Sequence, residues 1–492
     1  MKRSEFFAVS AAVAAAMILT SCSSTTPLSK SPAGYDPANP LYLLAAPGDR
    51  QADPDRYFGH EYQQINARRG ATNQSIRPDN LLGLAMSGGG IRSAAFQLGI
   101  LSGIHSTKYK DRPILEQVDY ISSVSGGSWA SGAYWGTTNS DDAFFANLDA
   151  YAKSGTNARN WQAAARILRH EQRVSIFDVT TQRKERWQDD IKYAYCADGD
   201  IDLSKHLSDT RCLKTRGRPY PIFNSTHSFV CREDAKLGSY PFETTPDYVG
   251  TIVDSTKSGY SGFFMSLSAT NLVWANDKWL WFGDRPGSML SLALAHSSGV
   301  VGGLPFLLQY SMTASRGGAP IPGMRATYNL DDGGKSDNLG LLPLLERGVN
   351  TIIVSQMGQD DNLIDLPFSR EQARTYLRAN LYEKFNPLTV PLVHNESYQC
   401  GRKSGAQQGK LILIRPTPRN VREFLHNLER NNRPAFDEFF QEEKSLDEHV
   451  FPMTATMRQE YSTILIRSYY LLGKYIAETF LPDALAGKLP DL

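Results

Sequence analysis

The most regular signal along the chain is a switch from a short apolar run to a small-residue turn and then to a helical pattern. Leu81 to Met86 is apolar and stops at Ser87-Gly88-Gly89-Gly90. Ala94, Ala95, Leu98 and Leu101 then recur at the spacing of one helix face, which predicts a helix over Ser93–Ile104. Val118 to Val124 is a second apolar run, again ended by small residues and followed by a Gly/Ala-rich helical stretch. A buried strand turning straight into a helix, twice over, predicts a parallel sheet covered by helices. Further strands are expected at Tyr220–Phe223, Phe263–Leu267, Thr351–Ser355 and Leu411–Ile414. Asp142 to Arg173 reads as mainly helical. Tyr461, Ile464, Leu465, Tyr469, Leu472 and Ile476 mark a long amphipathic helix over Arg458–Thr479. Strand and helix patterns alternate to the end, so one elaborate α/β domain is expected over residues 78–485.

The first residues follow a different logic. Lys2 and Arg3 precede an apolar run from Phe6 to Leu19, which ends at Leu19-Thr20-Ser21-Cys22. A run of this length is shorter than the roughly 20 residues that span a bilayer, and it reads as a secretory signal over residues 1–21. The closing tetrapeptide resembles a bacterial lipobox, which implies that Cys22 is lipidated and anchors the chain to a membrane. By the same analogy Ser23, in place of Asp, favours the outer membrane. The stretch 22–77, rich in Ser, Thr, Pro and Gly in its first half, is expected to be the lipidated N-terminus and a tether.

Composition narrows the function classes. At 41% hydrophobic and 21% charged residues, the chain has the balance of a globular protein. A net charge of +1 argues against nucleic acid as a partner. Cys196, Cys212, Cys231 and Cys400 are compatible with one or two disulfides in an oxidising compartment, with the connectivity open. Their spacing does not support a zinc site.

Three motifs carry chemistry. Ser123-Val124-Ser125-Gly126-Gly127-Ser128 places Ser125 at a sharp strand-to-helix turn, where its hydroxyl stands clear and the helix N-terminus favours developing negative charge. The pattern departs from G-x-S-x-G at Ser123, which is still small. Ser87-Gly88-Gly89-Gly90-Ile91-Arg92 offers consecutive backbone N–H groups to a phosphate or an oxyanion. It matches neither a Walker loop nor a dinucleotide fingerprint. Asp331-Asp332-Gly333-Gly334 on its own reads as a loop of turn residues.

Taken in order, the Gly-rich loop with its trailing Arg, the serine elbow and the distant Asp-Gly-Gly resemble the patatin-like phospholipases. The likeness is closest to the branch of cytosolic phospholipase A2 and fungal phospholipase B. It spans about residues 80 to 350 and extends more weakly to Phe451-Pro452-Met453-Thr454 and the final helix. It implies a three-layer α/β/α sandwich with a mainly parallel central sheet. It also implies a Ser-Asp dyad of Ser125 and Asp332, with Asp331 as the rival base, and an oxyanion hole drawn from Gly88, Gly89, Gly90 and Gly126. Arg92 would meet a substrate phosphate or position the loop. The implied substrates are phospholipids or lysophospholipids, cleaved at carboxylic esters. The dyad needs no metal or other cofactor, and no Ca²⁺ loop is present in the sequence. An Asp is a weak base at its reference pKa of about 3.9 and must be partly desolvated for the role.

Two other readings stay open on the residues themselves. A Ser-His-Asp esterase would recruit His296, His394, His426 or His449, of which His296 precedes Asp332 and fits that order least. A non-catalytic lipid-binding envelope lipoprotein would leave the same residues idle. The aromatic cluster Tyr260, Phe263, Phe264, Trp274, Trp279, Trp281 and Phe282 suits lipid contact or strand packing. The charged run Gln441–Glu448 suits a solvated face.

Overall fold

The computed structural model describes residues 54–70, 78–154, 217–230, 237–251, 328–357, 407–416, 418–434 and 463–488. Shorter pieces are described at 42–44, 191–192, 200–204, 207, 263–266, 273–274, 285–286, 297–298, 310–312, 315–316, 319–320, 393–400, 436–437, 451–452 and 461.

In chain order the main elements begin with β1 (Tyr42–Leu44), α1 (Pro54–Arg68), β2 (Leu82–Met86), α2 (Gly90–Ser106), β3 (Tyr120–Val124), α3 (Gly126–Gly136) and α4 (Asp141–Ser154). Next come β4 (Tyr220–Val230), β5 (Leu237–Thr244), β6 (Tyr248–Thr251), β7 (Phe263–Ser266), β8 (Tyr310–Met312) and β9 (Tyr328–Asp332). The remainder is α5 (Leu342–Glu346), β10 (Thr351–Ser355), β11 (Val393–Cys400), β12 (Gln407–Ile414), α6 (Pro418–Asn431) and α7 (Thr463–Leu485).

The strands form one 12-stranded sheet, in the order β1-β7-β6-β5-β4-β3-β2-β10-β12-β11, with β9 against β4 and β8 against β9. Its centre, β4-β3-β2-β10-β12, is parallel, and antiparallel strands extend it on both sides. The fold is thus the expected α/β architecture with a mainly parallel centre. The two strand-turn-helix units fall where the apolar runs place them, because β2 and β3 are buried along their whole length. Helix α2 is buried from Ile91 to Ile104. Helix α7 crosses it so closely that a Cβ on Gly99 would stand 2.0 Å from the Tyr470 carbonyl oxygen, and one on Gly473 would stand 2.2 Å from that of Phe96. The helix expected over Arg458–Thr479 is observed as Thr463–Leu485 and continues through Pro482. Of the stretch expected to be helical, Asp141–Ser154 is a helix and residues 155–173 lie outside the described residues.

One expectation is corrected at the N-terminal side. The folded body begins before residue 78, because α1 lies inside the stretch assigned to the tether. Phe58, Tyr62 and Ile65 recur at helical spacing and are buried. Glu61, on the same face, takes a two-pronged hydrogen bond from Arg347, with Nε to Oε2 at 2.7 Å and Nη2 to Oε1 at 2.8 Å. Glu243 of β5 pairs with the same guanidinium at 2.9 Å, and the Phe58 ring stacks on it at 4.4 Å. A cation shared by two buried carboxylates therefore joins α1, β5 and the end of α5.

Candidate active site

Ser125 is the single residue between β3 and α3, at φ 50° and ψ −120°. A non-glycine residue held there costs roughly 1–3 kcal/mol and persists only where its surroundings impose it. Here they do. The Ser125 carbonyl accepts the N–H groups of Ser128 at 2.9 Å and Trp129 at 3.2 Å, and its own N–H donates to Ser297 Oγ at 3.1 Å. The residue is 9% exposed, and its hydroxyl makes no hydrogen bond with the described residues.

The glycine loop lies directly against this turn. A Cβ on Gly126 would stand 2.0 Å from the Gly90 carbonyl oxygen, so any side chain at Gly126 would push the two turns apart. Gly89 and Gly90 adopt φ 138° and 61°, which only glycine takes without strain. Three bonds pin the loop: Ser87 N–H to the Ser355 carbonyl at 3.0 Å, Met357 N–H to Ser87 Oγ at 2.7 Å, and Gly88 N–H to the Asn338 carbonyl at 2.9 Å. The Gly88 N–H is thus spent on holding the loop. Among the described residues no acceptor meets the N–H groups of Gly89, Gly90 or Gly126, as expected at the first turns of α2 and α3. Arg92 is completely buried in the first turn of α2.

Asp332 reaches the elbow through strand register. Val124, the last residue of β3, lies opposite Asn224 of β4, and Asp332, the last residue of β9, lies opposite Ser225. The other edge of β4 is occupied throughout this stretch by β5. β3 and β9 therefore share one edge of β4 end to end, and the chain end that carries Ser125 meets the one that carries Asp332. Gly333 sits in the seam: a Cβ there would stand 3.0 Å from Val124 Cγ1. Asp332 is half-buried. Its Oδ1 accepts the Gly334 N–H at 2.7 Å, and its carbonyl accepts Thr226 Oγ1 at 2.7 Å. The segment read as a loop is a strand up to Asp332, because the vacated edge of β4 supplies a partner that no local pattern announces.

Two neighbours that the motifs did not single out shape this junction. Asp337 is buried, with Oδ1 accepting the N–H groups of Leu339 and Gly340 at 3.1 Å each and Oδ2 that of Leu342 at 2.8 Å. Burial lifts its pKa from 3.8 to about 6, against the lowering effect of those bonds. The turn it braces carries Asn338, whose Oδ1 lies 2.3 Å from where a Gly88 Cβ would be and 2.9 Å from a Gly334 Cβ. Asn338 is thus wedged between the glycine loop and the acid loop. The signal available in sequence is an Asp-Asn pair just before Leu339-Gly340, a turn-forming arrangement.

Other candidates stand apart. His426 is exposed on α6, 3.9 Å from Glu429. His394 lies in β11. His296, His449, Cys22, Cys196, Cys212, Cys231, Tyr260, Trp279, Trp281, Phe282 and the run Gln441–Glu448 lie outside the described residues. Phe263 and Phe264 are in β7, Trp274 is in a two-residue strand, and Cys400 ends β11. A cavity of about 1000 Å³ opens at the opposite end of the sheet, lined by Arg68, Arg69, Lys110 and Arg112 among others. Arg68 and Arg69 there are paired with Asp119, and Arg112 lies 3.7 Å from Glu116, so the wall is internally compensated, and it lies at the end of the strands away from the elbow.

Comparison with known proteins bears on the fold that carries these residues. Residues 84–221 match the family model for patatin-like phospholipase. None of the curated proteins matches the chain. Among solved structures, human GIVD cytosolic phospholipase A2 aligns with a TM-score of 0.51 and 13% identity, over 91% of this chain and 65% of that one. A structure of the same human protein with methyl gamma-linolenyl fluorophosphonate aligns at 0.47 and 13%, over 91% and 64%. A third, with that inhibitor and terbium chloride, gives 0.47 and 12% over the same shares. The chain thus spans just under two thirds of the length of these structures, and at such identity the first alignment speaks for the fold.

Proposed function

The chain carries a patatin-like phospholipase domain matched over residues 84–221, and on that premise we propose that it is a lipid acyl hydrolase acting through Ser125 and Asp332. The observation that carries the reading is the shared edge of β4, where register delivers the strained serine and the acid to one seam. In the proposed reaction Asp332 accepts the Ser125 proton as Oγ attacks an ester carbonyl. The N–H groups of Gly89 and Gly90, with Gly126 at the start of α3, take the oxyanion. Asp332 returns the proton to the leaving alkoxide. A water then cleaves the acyl-enzyme by the same route and regenerates Ser125.

The complete burial of Arg92 favours the loop-positioning role over contact with a substrate phosphate. The substrates proposed are phospholipids or lysophospholipids. Lipidation at Cys22 would hold the enzyme at the outer membrane, next to such substrates. Among the described residues no helix is long and apolar enough to cross a membrane.

The test uses protein starting after Cys22, with Ser125→Ala and Asp332→Asn alongside, and measures fatty acid release from phospholipid micelles and labelling by a fluorophosphonate. Release and labelling by the parent, with release lost in both variants, is the expected result. Folded parent protein that neither releases fatty acid nor labels would sink the enzyme reading in favour of lipid binding. Full activity in Asp332→Asn, with Ser125→Ala inactive, would move the base to another residue. Loss of activity on replacing one histidine would point to a Ser-His-Asp esterase.

A further inference from the structure

Ser297 is completely buried and bonds to β4, to the elbow and to the glycine after Asp332. Its hydroxyl lies 2.6 Å from the Asn224 carbonyl, 3.1 Å from the Ser125 amide nitrogen and 2.8 Å from Ser128 Oγ. Its carbonyl accepts the Gly333 N–H at 3.2 Å. A serine hydroxyl has one proton and two acceptor sites. The Asn224 carbonyl and the Ser125 N–H admit one direction each: Ser297 donates to the former and accepts from the latter. Ser128, whose Oγ also lies 3.3 Å from Ser123 Oγ, is then the donor across the shorter 2.8 Å contact, into the remaining lone pair. All three capacities of the Ser297 hydroxyl are thereby filled.

Resting on the hydrolase reading above, we infer that Ser297 is a positioning residue that holds the Ser125 peptide in its strained conformation and ties it to the acid loop. The bond to the Ser125 N–H fixes the plane of the peptide that precedes the nucleophile, and so fixes the rotation about its N–Cα bond. The bond to the Asn224 carbonyl anchors that hold on β4, the strand that both β3 and β9 use as their ruler. The neighbouring Ser298 does different work: its hydroxyl accepts the Trp129 indole N–H at 2.8 Å and makes no bond to Ser125.

The test compares the parent protein with Ser297→Ala, Ser297→Thr and Ser298→Ala. It follows kcat and KM on a soluble ester, the second-order rate constant of fluorophosphonate labelling, and the thermal midpoint. Ser297→Ala is expected to lower kcat and the labelling constant together by about tenfold or more, with KM within about twofold, because only the reacting geometry is loosened. Ser297→Thr keeps the hydroxyl and should recover most of the labelling rate. Ser298→Ala removes a buried hydroxyl from the same segment and should label within about threefold of the parent, whatever it does to the midpoint. Parental labelling by Ser297→Ala overturns the inference and leaves the hydrolase reading standing. So does an equal loss in Ser298→Ala, which would make the effect one of general stability. A folded parent that fails to label removes the hydrolase reading first, and this role with it.

Discussion

The two ends of the central strands are built from opposite chemistry. At the amino ends the chain uses ions. Arg68 and Arg69 converge on buried Asp119, Arg347 pairs with Glu61, which also accepts the Tyr120 hydroxyl, and Arg218 reaches Asp141 at 2.9 Å together with the carbonyls of Trp135, Thr137 and Asn139. At the carboxyl ends of β2, β3 and β10 glycines and hydroxyls predominate, Gly88 to Gly90, Ser125, Gly126, Ser128 and Ser297, with Arg92, Asp332 and Asp337 set among them. Ions suit the first end because deep burial demands that each be paired, which makes their geometry stiff but unreactive. Small groups suit the second because backbones can approach to contact, as the proposed oxyanion hole would require. The lesson is a division of labour along one sheet, with stability concentrated at one end and strain at the other.

The sharpest break of that comparison is Ser125→Ala. Activity is expected to fall at least about a thousandfold while the unfolding midpoint stays or rises, since Ala relieves a buried hydroxyl at no packing cost. At the ionic end, Arg347→Ala should do the reverse. Leaving Glu61 and Glu243 buried without their cation is expected to cost about 3–5 kcal/mol in denaturant unfolding, with kcat of the surviving folded fraction close to parental. Gly126→Ala tests the contact between the two turns: displacing the Gly90 carbonyl should lower kcat on the order of a hundredfold, read on a soluble ester.

A smaller effect concerns Asp337, the buried acid beside the glycine loop. Asp337 holds its proton up to about pH 6 in the folded protein but releases it near 3.8 when unfolded. Between those values the folded state binds the extra proton, so this group's contribution to stability falls as pH rises through the window and is flat above it. Thermal midpoints between pH 4 and 7 should show that decline in the parent and lack it in Asp337→Asn. Least of all, Arg433→Ala removes exposed pairs with Glu429 and Asp437 at 2.8 and 2.9 Å and should shift stability by less than about 1 kcal/mol.

How much of this was legible in sequence follows the same division. β2, β3 and β10 are short apolar runs because they are buried on both faces, and Thr351–Ser355 is observed with the expected bounds. The glycine loop and the elbow announce themselves because their chemistry has a steric requirement that few residues meet. β4 was expected to stop at Phe223, yet it runs to Val230, since Asn224 to Ser228 are polar residues held by β5 and β9. β5 was missed outright: Gly238, Pro241 and Glu243 break any simple alternation. α1 hid its buried face among Asp, Arg, Gln and Asn. Ser297 offers no local signal, because a serine in a Ser-Ser pair looks like any other until the fold supplies its four partners.

The end-to-end meeting of β3 and β9 has a consequence for the order of events as the chain is made. Translation delivers the glycine loop and the elbow early and Asp332 only after a long excursion through the antiparallel part of the sheet. Under the proposed mechanism a nascent chain that ends before Tyr328 owns a nucleophile and an oxyanion hole but no base, and lacks the strand that would bring one. Under that mechanism, activity against lipid would be switched on only when the chain is complete past Asp332.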